Sequence, residues 1–162
     1  MTTPPDFSNE KVAQVFFRFT KLENFEARLG TVFYLSAKGH DQLNAEITRL
    51  SAKHRDTHNP KDELTLSIEI KNKSNFHIRP SGNIEVKNLA TNKIVYTYPV
   101  EKIPSIYPNQ SFAFDYLFHP DSIPPGDHEV RLSLNYGNLY GKNVLMEKTA
   151  TVVQEEKKTA TP

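Results

Sequence analysis

A two-residue alternation of apolar and polar side chains constrains the fold of this chain more than any other feature. In residues 64–71 every second residue is Leu or Ile, and the residues between them are polar or charged. Aromatic residues occupy every second position in residues 112–118, and the apolar–polar alternation recurs in residues 129–136. Because successive side chains of a β-strand point to opposite faces, this pattern predicts strands with one buried and one exposed face.

Shorter segments raise the predicted number of strands to about nine, at a spacing typical of a sandwich. They are residues 15–19, 30–37, 43–50, 84–86, 94–98 and 144–153. The segment Asn88–Asn92 has the composition of a hairpin turn between two of them. Within residues 41–55 the apolar positions also fit a helical period, so a short helix is the alternative there, and we prefer a strand.

The 11 prolines separate these segments and leave little room for long helices. Without helical crossovers the strands must pair antiparallel. We therefore predict an all-β fold, an antiparallel immunoglobulin-like β-sandwich of about 7–9 strands. The sandwich is expected to span residues 10–153, with disordered tails at residues 1–9 and 154–162. The side chains predicted to lie inside are Leu64, Leu66, Ile68, Ile70, Phe112, Phe114, Val130, Leu132 and Leu134.

Composition excludes several classes of function. Lys and Arg total 20 against 19 Asp and Glu, and this net charge of +1 argues against nucleic acid or an anionic membrane surface as the partner. The chain has no cysteine, so disulfides and thiolate chemistry are excluded. No nucleophile elbow or phosphate-binding loop is present. We expect no enzyme activity and no cofactor, and neither a signal peptide nor a membrane-spanning segment is predicted.

Two groups of histidines were tested as metal sites. His54 and His58 would share one face of a helix, but Pro60 follows and a solvated loop is the better interpretation. His119, Asp121, Asp127 and His128 fall within the stretch FHPDSIPPGDH, where turn formation explains the aspartates. We expect no metal site and place these histidines in loops.

Two segments carry a resemblance to a known family. Residues 72–88 read NKSNFHIRPSGNIEVKN, and residues 106–114 and 123–132 read IYPNQSFAF and IPPGDHEVRL. They resemble the immunoglobulin-like domains of bacterial cell-surface proteins, in particular the WxL-interacting proteins of Gram-positive bacteria. The resemblance covers about residues 28–153 and implies an extracellular or cell-envelope location, with another protein at the cell surface as the bound partner.

Each segment also has a local interpretation. Gly82 permits a positive φ, so that the chain can turn a corner beside Pro80. The pair Pro108-Asn109 begins a strand after a turn. His128 takes the position at which related sandwiches often carry a tyrosine whose hydroxyl ties the corner, and an imidazole N–H is expected to make a similar bond.

The leading hypothesis is a non-catalytic extracytoplasmic module that binds another protein or serves as a structural spacer. The strand at residues 93–99 ends in a proline and is predicted to be protected from edge pairing. We predict the partner-binding residues in the loop 135–141, which has two Tyr, two Gly and little charge, namely Tyr136, Asn138, Leu139 and Tyr140. The alternatives are a carbohydrate-binding sandwich using Tyr107, Tyr136 and Tyr140, and a metal-binding or enzymatic domain using the loop His and Asp residues.

Overall fold

A computed structural model describes residues 10–22, 25–35, 42–55, 63–118 and 123–154. These residues form nine strands and one single-turn 3-10 helix, Asn138–Tyr140, and they contain no α-helix, which confirms the all-β prediction. The strands are β1 (Lys11–Leu22), β2 (Phe25–Leu35), β3 (Ala45–Arg55), β4 (Glu63–Asn72), β5 (Ser81–Asn88), β6 (Lys93–Val100), β7 (Ser111–Phe118), β8 (Gly126–Asn135) and β9 (Leu145–Gln154).

The chain divides into two compact units. Unit 1, Met1–Gln42, contains strands β1 and β2, which pair antiparallel as a hairpin. Unit 2, Leu43–Pro162, contains the other seven strands. The preference for a strand over a helix within residues 41–55 is confirmed, because Ala45–Arg55 forms β3.

Unit 2 is an antiparallel β-sandwich. Its smaller sheet has the strand order β3-β4-β7 and its larger sheet the order β6-β5-β8-β9, and every neighbouring pair is antiparallel. The chain passes from one sheet to the other between β4 and β5, between β6 and β7, and between β7 and β8. Such crossings are typical of immunoglobulin-like sandwiches.

The alternating apolar residues of the central strands form the core between the two sheets. Leu66, Ile68 and Ile70 of β4 and the alternate apolar residues of β5 and β8 are fully buried. The prediction that Val130, Leu132 and Leu134 lie inside is likewise confirmed.

Two residues predicted to lie inside are only half-buried. Phe112 and Phe114 pack against the core but remain partly exposed, because β7 is an edge strand with a neighbour on one side only. Leu64 was also placed inside, but its side chain lies outside the described residues. On the edge strand β6, Ile94 is 55% exposed.

A buried asparagine holds the segment that carries the family resemblance. The side-chain Nδ2 of Asn72 donates to the carbonyl oxygens of Phe76, at 2.7 Å, and Ile106, at 2.8 Å. Its Oδ1 accepts from the backbone N–H of Ser74 at 2.8 Å. All polar atoms of this amide are therefore used at a site with no solvent exposure, and the bonds connect β4 to two separate loops.

The predicted turns are present with the expected residues. Asn88 ends β5, and its Oδ1 accepts from the backbone N–H of Thr91, while Asn92 has a positive φ of 57°. Asn109 has a φ of 62° and precedes β7. Both turns place asparagine in the left-handed region, which it tolerates better than most residues.

The role predicted for Gly82 is wrong. Gly82 lies inside β5 and is not among the residues with a positive φ. A Cβ at this position would lie 2.0 Å from the carbonyl oxygen of Ser133 on β8. The glycine is required by this close approach of two strands rather than by a turn.

We predict that Leu132→Asp unfolds the sandwich, because it places an unpaired charge in a core position without solvent exposure. The matched control is Arg131→Ser, the exposed neighbour on the same strand. Far-UV circular dichroism with thermal melting checks both variants. A cooperatively folded Leu132→Asp protein would contradict this description of the core.

We also predict that Gly82→Ala destabilises the sandwich by more than about 2 kcal/mol, because backbone atoms of β8 must move to admit the new methyl group. Gly141→Ala is the comparison. Gly141 has a φ of 65° but no atom within 4 Å of the added Cβ, so its cost is about 1 kcal/mol. Urea denaturation measures the free energy of unfolding of both variants. Equal losses would show that β5 and β8 can move apart to admit the methyl group, which would contradict the prediction.

Candidate binding surfaces

The loop predicted to bind a partner is tied to the body of the sandwich. Asn135 Oδ1 accepts from the backbone N–H groups of Gly137, at 2.9 Å, and Val144, at 3.2 Å. The hydroxyl of Tyr140 donates to the carbonyl oxygen of His77 at 2.7 Å, and its ring packs edge-on against Phe76. The loop is therefore built on the segment that Asn72 also holds.

The four predicted contact residues differ in exposure. Tyr136 is a core residue with 6% exposure, and Tyr140 is half-buried. Asn138 is exposed and donates to Ser81 Oγ, while Leu139 is 46% exposed. The structure thus brings Asn138 and Leu139 to the surface, and partner binding by this loop stays a prediction.

The histidines are distributed differently from the expectation. His54 lies in β3 opposite Leu64, and His128 lies in β8, so the placement of these two in loops is wrong. His58, His119 and Asp121 lie outside the described residues. Within the described part of the chain no group of three His, Asp or Glu side chains is arranged to hold a metal ion.

His128 makes a hydrogen bond to the backbone at the start of its strand, as the sequence predicts. Its Nδ1 lies 2.9 Å from the carbonyl oxygen of Gly126, and its Nε2 lies 3.4 Å from Asn88 Nδ2. A carbonyl oxygen only accepts, and Asn88 Oδ1 is used by Thr91. Nδ1 therefore carries the hydrogen and Nε2 accepts, so this fully buried ring joins the start of β8 to the end of β5.

We predict that His128→Phe keeps the ring volume but destabilises the sandwich by about 1–3 kcal/mol, because Gly126 and Asn88 each lose a buried hydrogen-bond partner. Thermal melting measures the loss. Added zinc and added chelator are expected to leave the wild-type midpoint unchanged. A zinc-dependent rise that disappears in His128→Phe would contradict the structural role.

An aromatic groove opens between strands β6 and β7. Its volume is about 430 Å³. The residues that line it come from β6, the segment after it and β7, namely Tyr98, Pro99, Val100, Glu101, Lys102, Ile103, Phe112, Phe114 and Tyr116. On the other side of the sandwich, hydrogen bonds join the two edge strands β3 and β9. Lys148 Nζ on β9 donates to the carbonyl oxygens of Ile47, at 3.0 Å, and Thr48, at 2.7 Å, on β3.

Two tyrosines lie in contact at the inner end of this groove. The ring centroids of Tyr98 and Tyr116 are 4.4 Å apart, and the ring planes are tilted by 47°. Burial raises the pKa of Tyr116 above its ordinary value, and its hydrogen bond with Tyr98 raises it further. The Tyr116 phenol therefore stays neutral throughout the physiological pH range, and the charged residues that line the groove are Glu101 and Lys102.

Strand β7 has an unpaired edge beside the groove. The backbone N–H of Asn72 donates to the backbone carbonyl oxygen of Gln110. Two residues further along each strand, the β4–β7 register places Ile70 opposite Phe112. The hydrogen-bonded positions of β7 toward β4 are therefore the even-numbered ones. The N–H and C=O groups of the odd-numbered residues point away from β4, toward an edge that no described strand occupies. Those residues are Ser111, Ala113, Asp115 and Leu117.

The hairpin of unit 1 carries a second apolar surface. Eight of its described side chains are large, apolar and between 40% and 65% exposed, and they lie on both faces of the hairpin. They are Val12, Val15, Phe16, Phe17, Leu29, Val32, Phe33 and Leu35. Exposed apolar groups concentrated in this way are typical of protein interaction sites.

Comparisons with family models, with curated proteins and with solved structures find no match to this chain. Among the described residues, no helix is long and apolar enough to cross a membrane.

Proposed function

We propose that this chain is a non-catalytic, extracytoplasmic immunoglobulin-like module of a bacterial surface protein that binds another protein. The observation that carries the proposal is the unpaired edge of β7 beside the aromatic groove. The resemblance of residues 72–88, 106–114 and 123–132 to WxL-interacting surface proteins supports the envelope location. The partner that fits this edge is an extended segment of another polypeptide.

The backbone of β7 favours an extended partner because only another strand satisfies a row of N–H and C=O groups at regular spacing. Proteins usually protect such edges with proline, lysine or a bulge. The sequence of β7 is SFAFDYLF, and its pairing with β4 is regular. The other strand beside the groove, β6, has Pro99 and a register shift after Val86 of its partner, so its edge is protected and β7 is the available one.

The groove defines the side chains of the partner. An added strand would continue the sheet β3-β4-β7, so every second side chain would point toward the groove. There it would meet Phe114, Tyr116 and Tyr98, which are half-buried and uncharged. We therefore expect an apolar residue at alternate positions of the partner segment, with polar residues between them.

Other functional hypotheses have less support in the geometry. The carbohydrate hypothesis needs exposed tyrosines in a flat platform, but Tyr136 is buried and the hydroxyl of Tyr140 is used by His77. The hypothesis of a metal-binding or catalytic domain depends on the His and Asp residues of the predicted loops, and among them the ring nitrogens of His128 contact Gly126 and Asn88. The loop 135–141 remains the competing protein-binding surface.

A phage library of random dodecapeptides, selected on the wild-type chain, tests the proposal. We expect peptides with alternating apolar residues, and their binding should protect the β7 amides of Ala113 and Asp115 from hydrogen exchange. Ala113→Pro should weaken binding at least about tenfold, because it removes a donor at the free edge without breaking a bond to β4.

The control is the double change Leu139→Ser with Tyr140→Ser, which alters the competing loop and should leave peptide affinity unchanged. Binding that is lost in this double variant but kept in Ala113→Pro would assign the site to the loop. The absence of any selected peptide, together with binding on a glycan array, would support the carbohydrate alternative. A chain that binds neither probe would be a structural spacer.

A further inference from the structure

The two faces of hairpin β1–β2 differ in composition. The register pairs Val15 with Thr31, and Phe17 with Leu29, so these residues share one face, which we call the apolar hairpin face. Ala13 and Phe33, then Lys11 and Leu35, extend the same face toward the open end of the hairpin. Among these described positions, Lys11 at the end is the one charged residue.

The opposite face is more polar. It contains Gln14 and Arg18 alongside the exposed apolar residues Val12, Phe16 and Val32, and the ring of Phe16 lies over Gly30 on the neighbouring strand. A Cβ added at Gly30 would come within 2.9 Å of that ring. Phe16 therefore covers a bare stretch of backbone within its own hairpin.

The apolar hairpin face is likewise exposed to solvent. Val15, Phe17, Leu29, Phe33 and Leu35 are between 40% and 61% exposed. A two-stranded hairpin is marginally stable in water unless its apolar face packs against something. The hairpin thus needs an apolar surface of similar width and without charge.

We propose that the apolar hairpin face is a dimer interface, and that its partner is the same face of a second copy of this chain. The interaction is isologous, with the two hairpins packed face to face in a four-stranded arrangement. It is independent of the β7 groove and of any partner bound there.

The available area supports this choice of occupant. With aromatic side chains that each bury 150–250 Å² when fully enclosed, the half-exposed residues of this face supply roughly 500 Å² per copy. Two copies would bury about 1,000 Å², which is the lower end for a specific protein interface. Because the centre of the face has no charge, two copies meet without repulsion. We therefore expect a weak, reversible dimer, as is typical of interfaces of this size.

Sedimentation equilibrium of the full chain tests the proposal over a wide range of chain concentrations. The mass is expected to rise from the monomer value of 18.5 kDa toward twice that value. Phe17→Asp should keep the chain monomeric throughout, whereas Phe16→Asp, the adjacent phenylalanine on the opposite face, should retain the dimer. A wild-type chain that stays monomeric, or dimerisation lost in Phe16→Asp and kept in Phe17→Asp, would overturn the proposal.

Cysteine cross-linking provides a second measurement that does not depend on how charges affect the hairpin. Because the chain has no native cysteine, each introduced thiol is unique. Thr31→Cys lies on the apolar hairpin face and should yield a covalent dimer on mild oxidation, and Gln14→Cys on the opposite face should not. If both aspartate variants are monomeric, the comparison of Thr31→Cys with Gln14→Cys identifies the face that forms the dimer. Cross-linking of Gln14→Cys but not of Thr31→Cys would overturn the proposal.

Discussion

The packing of the two sheets of unit 2 against each other through their apolar faces is the constraint on which the rest of the unit depends. Strands β4, β5 and β8 can bury every second residue because each has a neighbour on both sides within its sheet and a facing sheet above it. The edge strand β7 lacks the second neighbour, so its inward aromatic residues are only half covered. The groove between β6 and β7 is a direct consequence of this difference between central and edge strands.

Buried polar side chains connect the sheets to the loops where apolar packing ends. Asn72 joins β4 to the backbone near Phe76 and Ile106, and His128 joins β8 to β5 through Asn88. Each uses its hydrogen-bonding atoms on backbone or amide partners at a site without solvent exposure. These residues specify the positions of loops. Because both ring nitrogens of His128 are hydrogen-bonded within the sandwich, neither is available to bind a metal ion or a substrate.

The two proposed surfaces differ in the interaction that each offers. The β7 edge presents unpaired backbone groups next to uncharged aromatic side chains, which suits an extended polypeptide. The apolar hairpin face is formed by side chains on a two-stranded ribbon, which suits another apolar face. A chain that used both could present paired grooves to its partner, and paired sites raise the effective affinity without any new contact.

The sequence by itself determined which segments form strands and which side of each central strand is buried. Alternation with a period of two specifies both, as Ile68 and Leu132 show, and asparagines at 92 and 109 specify turns through their tolerance of positive φ. These features are local, so they could be predicted from neighbouring residues. Only the tertiary structure decided which strands lie at the edges. Phe114 has the same alternating pattern as Ile68 but lies beside an open edge, and Gly82 is required by a strand distant in sequence. Both outcomes depend on strand order, which arises from long-range pairing rather than from local pattern.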